Sequence, residues 1–153
     1  DLVTQQWQGE APVHREGPLV CSVQRYARPA GWSAQRLATS YLEWLPGQVP
    51  TVGVEVVDQT AAITAFGTRA LVLRHAPGRS EADCHSFEVA DGALVRQGTF
   101  DARFEFRVLL DGAWAVTSLI GFEPRLPWPV YQLTQALMHE RVMRRFGAYL
   151  AAQ

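Results

Sequence analysis

The stretch Phe100–Glu123, FDARFEFRVLL-DG-AWAVTSLIGFE, decides the fold. Two runs rich in aromatic and β-branched residues flank Asp111-Gly112, a dipeptide suited to a two-residue turn that needs positive φ. The pattern predicts strands over Phe100–Leu110 and Ala113–Glu123. Such a turn pairs Leu110 with Ala113, Val108 with Ala115, Phe106 with Thr117, and Phe104 with Leu119. Paired residues share a face. That face is apolar apart from Thr117, and it sets bulky residues against the small column Ala113, Ala115 and Thr117, which leaves room beside it. The other face mixes Arg103, Glu105 and Arg107 with Trp114, Val116, Ser118 and Ile120, and is expected at solvent or at an interface.

Downstream, Pro124 to Pro129 interrupt the pattern, and one long amphipathic helix is expected over Val130–Ala152. Its apolar stripe drifts. Val130, Leu133 and Leu137 lie on one side, and Val142, Phe146, Tyr149 and Leu150 lie roughly opposite. A drifting stripe predicts a curved helix, or one that grips a sheet with one end and another element with the other. Arg141, Arg144 and Arg145 fall in the second half, where positive charge suits the C-terminal dipole.

Upstream, residues 1–18 form a polar arm with room for a short edge strand. Leu19–Arg28 reads as a strand in which Val20, Ser22, Gln24 and Tyr26 alternate against Cys21, Val23 and Arg25. Pro29-Ala30-Gly31 ends it and opens a helix over Trp32–Leu45. Ala34, Leu37, Ala38, Tyr41, Leu42, Trp44 and Leu45 share one face of that helix, and Pro46-Gly47 stops it. Strands follow over Val52–Asp58, Ala61–Phe66 and Arg69–His75. Asp91-Gly92 predicts another hairpin, between His85–Ala90 and Ala93–Gln97.

Bulk composition narrows the function classes. The 153 residues suit one domain with a real core. A net charge of −1 provides no global field for nucleic acid or an anionic membrane. The apolar runs are far shorter than a membrane span requires. Asp1–Gln8 lacks the basic start and apolar stretch of a secretion signal, a leader or tag is expected to have preceded Asp1, and the expected location is cytoplasmic. All 14 basic residues are arginine, which excludes a Schiff-base or phosphate-loop lysine and fits a GC-rich bacterial genome. Cys21 and Cys84 lie far apart, and their count does not decide pairing. The reading is two free thiols in a reducing compartment.

Strand, helix, about six antiparallel strands and a long last helix is an order that resembles the START-like helix-grip superfamily (SRPBCC), which includes polyketide cyclase/dehydrase-like and lipid-transfer proteins. The resemblance rests on Leu19–Arg28 with Pro29, the helix ending at Trp44-Leu45-Pro46, the meander Val52–Glu123 and the terminal helix. It covers Leu19 to Leu150. It implies an α+β fold in which a curved antiparallel sheet wraps a C-terminal helix and leaves a cavity between them. Its members commonly bind apolar or amphipathic molecules there. On this basis the expected lining is Trp44, Phe66, His75, Phe87, Phe104, Phe106, Trp128, Tyr131, Leu133 and Leu137. Trp128 and Tyr131 would form an aromatic lip where the proline-rich turn meets the helix, and an arginine would anchor any ligand carboxylate or phosphate.

Three functions stay open at this point: a carrier of a small apolar or amphipathic molecule, a cyclase-like or dehydratase-like enzyme using general acid–base catalysis, and an interaction module with a filled core. A homodimer is one arrangement the mixed hairpin face allows. No cofactor and no metal are expected. His139-Glu140-Arg141-Val142-Met143 begins like a zinc-protease helix, but Met143 stands where the second histidine belongs. His75, Cys84 and His85 fit no zinc spacing. His75 and Glu105 are the candidate acid–base residues, and Cys21 and Cys84 the candidate thiols.

Overall fold

The computed structural model describes residues 14–16, 19–96, 101–131, 135 and 137–153. Its described strands are β1 (His14–Glu16), β2 (Leu19–Ala27), β3 (Val52–Val57), β4 (Thr60–Ala65), β5 (Thr68–His75), β6 (Cys84–Asp91), β7 (Arg103–Val108) and β8 (Trp114–Phe122). They form one antiparallel sheet in the order β1-β2-β8-β7-β6-β5-β4-β3. The helices are α1 (Ala34–Trp44), the short α2 (Trp128–Tyr131) and α3 (Leu137–Ala151). The architecture is the α+β helix grip.

The β7–β8 hairpin has the register its sequence predicts. Phe104 pairs with Leu119, Phe106 with Thr117, and Val108 with Ala115. The turn differs from the expected two-residue one: the Gly112 N–H donates to Leu109 O at 2.8 Å, so Leu110 and Asp111 are its central residues, Gly112 alone has positive φ (+69°), and the Asp111 carboxylate accepts from the Ala113 N–H at 3.0 Å. Leu110 is the exception. The strand ends at Val108, and Leu110 stands fully exposed at the turn.

Asp91-Gly92 does not make the predicted hairpin. Gly92 (φ +139°) passes so close to β5 that a Cβ there would lie 2.1 Å from the Ala70 carbonyl oxygen. The chain then runs along β5, where Ala93 and Leu94 donate to Arg69 and Ala70 carbonyls, and reaches the end of β8 through Val95 and Pro124. Glycine serves here for close backbone approach rather than for turning.

Register shifts interrupt β2–β8 at Val20/Ser22, β4–β5 at Ile63/Thr64 and β5–β6 at Val72/Leu73. Bulges of this kind bend and twist a strand. They curve the sheet and give it a definite inward face: Val20, Ser22, Gln24 and Tyr26 of β2, Ala115, Thr117 and Leu119 of β8, Phe104 and Phe106 of β7, and Phe87 and Val89 of β6 are all buried.

Two helices cover that face. α1 is capped by Ser33, whose Oγ accepts from the Arg36 N–H at 3.1 Å, and its predicted face is buried against β6 and β7. α3 lies on β2 and buries Val142, Met143, Phe146 and Leu150. Tyr41, Phe104, Phe106 and Phe146 interlock between α1, the sheet and the C-terminal half of α3. The Tyr41 ring lies 5.5 Å from each of Phe104 and Phe106 and 5.2 Å from Phe146.

The terminal helix differs in detail from one uniform stretch. Gln135 is π-helical, and a one-residue expansion of a helix turns the downstream face by about 100°. Arg141, Arg144 and Arg145 are exposed and lie before the last turn, because the helix continues to Ala151. The dipole therefore does not explain them. Arg144 pairs with Glu140 one turn back at 2.7 Å.

Gly147 sets how closely α3 approaches β2. A Cβ at this position would lie 2.6 Å from Cδ1 of Tyr26, a ring already packed against Phe146. Glycine-to-alanine changes inside helices normally stabilise by about 1 kcal/mol. Gly147→Ala is expected to reverse that sign and cost about 1–2 kcal/mol, because the buried ring must shift. Urea unfolding of the variant is the check, and a stability gain would refute the close approach.

Candidate functional site

The inward face is apolar over most of its extent, and its polar exceptions stand out. On β2, Ser22 and Gln24 alternate inward with Val20 and Tyr26, and both are buried. Across the β2–β8 ladder Gln24 faces Thr117, also buried. The Gln24 Nε2 donates to Ser22 Oγ at 2.7 Å, while Oε1 has no solvent contact and no hydrogen-bond partner among the described residues. Reversing the amide would exchange the ends without supplying a second partner.

The helix side matches. Gln135, His139, Val142, Met143, Phe146 and Leu150 follow helical spacing on one stripe, and the last four are buried. The stripe is apolar from Val142 onward and polar before it. Gln135 Oε1 and His139 Nε2 are sealed from solvent and have no hydrogen-bond partner among the described residues. Burial pushes the His139 imidazole down to about 4, so the ring is neutral near neutral pH.

A second polar group lies where β5 and β6 end. His75 and His85 stack with ring centroids 4.4 Å apart and planes 7° apart, beside Phe87. Both belong to the inward register, opposite Phe87 and Phe106 respectively. They line a cleft of about 260 Å³ with Ser33, Gln35, Ser80 and Glu81. Burial first, and then the neighbouring His75, lower the His85 pKa below its ordinary value. The Ser80 hydroxyl donates to Ala76 O at 3.0 Å and accepts from the Ser86 N–H at 3.1 Å. Its single proton is then committed, so His75 Nε2, 3.1 Å away, is the donor of that pair. This geometry does not activate Ser80 as a nucleophile.

The expected lining residues divide into four groups. Trp44, Phe104 and Phe106 belong to the aromatic core, with Trp44 5.2 Å from Phe146 and 5.9 Å from Tyr149. Phe87 and His75 lie together at the β5–β6 end. Phe66 is 81% exposed in the β4–β5 turn at φ +51°, outside the interior. Its alternation with Ile63 and Ala65 stops where the turn begins. Leu133 and the side chains of Trp128, Tyr131 and Leu137 lie outside the described residues.

The other chemical candidates separate by face. Glu105 points outward, accepts from Ser86 Oγ at 3.3 Å, and lies between Arg103 at 3.4 Å and Arg107 at 3.8 Å. It belongs to an ion cluster on the outer face and is no interior acid. Cys84 is outward opposite Arg107, whereas His85 is inward opposite Phe106, so alternation keeps His75, Cys84 and His85 from converging. Cys21 and Cys84 are both free, and burial raises the Cys84 thiol pKa. Among the described residues no helix is long and apolar enough to cross a membrane.

Sequence reading placed His139 in a failed zinc motif and missed its inward position. The signal was present in the spacing of Gln135, His139, Val142, Phe146 and Leu150.

No protein-family model matches the sequence, and no curated protein matches it. Solved structures do share the architecture. The crystal structure of Ara h 8.0201 aligns with 88% of this chain and 99% of its own, at 14% identity and a TM-score of 0.57. A structural-genomics protein from Nitrosospira multiformis aligns with 87% and 96%, at 11% identity and a TM-score of 0.52. At these identities the likeness establishes the fold. The chain has the START-like helix-grip fold.

Proposed function

We propose that this protein binds a small, largely apolar molecule between the inward face of the sheet and the N-terminal half of α3. The observation that carries this reading is the polar start of the inward stripe, where Gln135 and His139 present buried atoms without partners, as Gln24 does from the sheet. An unsatisfied buried polar atom costs about 1–3 kcal/mol. Interiors hold such atoms when something else must meet them. Burial of apolar ligand surface would supply the main attraction, at about 25 cal/mol per Å² before ordering costs.

The acid–base reading has less support. A general base works best with a pKa near the working pH, and His139 at about 4 is too weak for that task. The filled-core reading describes the C-terminal half of α3, where Phe146 closes the aromatic cluster, but not the half that carries His139.

Native mass spectrometry followed by denaturing extraction tests the proposal. The expected result is a stoichiometric small-molecule adduct that leaves on denaturation. A clean apo mass, together with no uptake of 2-naphthol or 2-methoxynaphthalene at millimolar concentration, would rule the proposal out. The same spectrum reports whether the chain is a monomer or a homodimer.

A further inference from the structure

We infer that the molecule taken up is uncharged and carries a hydroxyl group, which meets the side chains of Gln24, Gln135 and His139, rather than an anion such as a fatty-acid carboxylate. This inference rests on the interior-binding reading above. It adds the chemical class that the interior selects.

The first argument is the kind of atom left over. Two amides and a neutral imidazole each have both donor and acceptor character. A hydroxyl also donates and accepts, so it can satisfy any of the three in either orientation of the amides. A carboxylate or an ether only accepts. Facing the Gln24 and Gln135 carbonyl oxygens, which are the unpartnered ends, it would leave them unmet.

The second argument is charge. In β2, β7, β8 and α1 no arginine, aspartate or glutamate is among the inward buried residues. Arg25, Arg74, Arg103 and Arg107 lie on the other face of the sheet. Arg25 covers the Trp114 ring at 4.5 Å, Arg74 pairs with Glu88, and Arg103 and Arg107 flank Glu105. Residues 1–13, 17–18, 97–100, 132–134 and 136 lie outside the described set, and their side-chain charges are Asp1 and Glu10, both acidic. In β1 the backbone register pairs Arg15 with Val20. An anion placed elsewhere in this interior would lack a counter-charge and carry its full desolvation cost.

The test is a matched set on one skeleton: 2-naphthol, 2-methoxynaphthalene and 2-naphthoate, titrated by calorimetry into the full chain near neutral pH. We expect 2-naphthol to bind at least about tenfold more tightly than either of the others, the equivalent of about 1.4 kcal/mol. In Gln24→Leu and His139→Leu, at least one of which should keep the wild-type melting temperature, that preference should shrink to about threefold or less while 2-methoxynaphthalene binding persists. Equal affinities, or a preference for 2-naphthoate that Arg15→Gln abolishes, would overturn the hydroxyl assignment and leave the binding reading in place. A hydroxyl preference unchanged in both leucine variants would also overturn it. Failure of all three probes to bind would remove the binding reading itself.

Discussion

Replacing Phe146 with alanine is expected to lower the free energy of unfolding by about 4 kcal/mol, a large part of the stability of a domain this size. Phe146 is completely buried. Its ring meets Tyr26 of β2, Tyr41 and Trp44 around the end of α1, Phe106 of β7 and Tyr149 of its own helix, at centroid distances of 5.2 to 6.5 Å. Removing it deletes the transfer energy of the ring and leaves a cavity that rigid aromatic neighbours cannot close. The orientation-dependent contacts add about 0.5–1.5 kcal/mol for a pair beyond area burial. Urea unfolding followed by tryptophan fluorescence measures the loss. A loss under about 1 kcal/mol would mean that the helix is not seated on this cluster. Phe146→Leu keeps most of the volume and should cost distinctly less.

Stability is also expected to fall as the solution is acidified from about pH 6.5 towards pH 4, with His139 as a principal cause. The folded imidazole titrates at about 4, against 6.5 for the free side chain. Between those values the unfolded chain binds a proton that the folded chain does not, so stability rises with pH across this window. Above it His139 contributes no pH dependence. The full displacement corresponds to a loss on the order of 2–3 kcal/mol. His85, whose pKa is lowered by burial and by His75, acts with the same sign. His139→Leu removes the titrating group and should flatten the decline between about pH 7 and about pH 4.5. If the variant declines as steeply as the wild type, the ring is not held neutral by burial and the interior site loses its main helix-side group.

Much of this was legible in the chain because alternation and turn chemistry are local. The β7–β8 pairs followed from one Asp-Gly dipeptide and two periodic flanks. The same dipeptide at Asp91-Gly92 misled because its glycine serves a contact with Ala70, some twenty residues earlier in the chain, which no local pattern encodes. The face of α1 was readable from its 3.6-residue period, and so was the inward set Val20, Ser22, Gln24 and Tyr26. The inward positions of Gln135 and His139 were obscured because, in the sequence, Val130, Leu133 and Leu137 draw an apolar stripe with a different phase. Phe66 illustrates a different gap. Hydrophobicity marks a residue as able to be buried, but whether it lies in a strand or at its turn decides whether it is.

The place of β2 in the sheet has a consequence for how the chain becomes structured. Among the described residues its long partner is β8, so Ser22 meets Leu119 across most of the chain. Bringing such distant segments together incurs the loop-closure entropy before the contacts form, which slows folding of sheets with non-local pairing. During synthesis β2 must wait, without its β8 partner, until β8 has left the ribosome, and α3, which rests on β2, comes later still. Late closure of this kind makes the assembly dependent on the segment Trp114–Ala151 that carries β8 and α3, and truncations that remove it should leave an aggregation-prone sheet rather than a smaller folded protein.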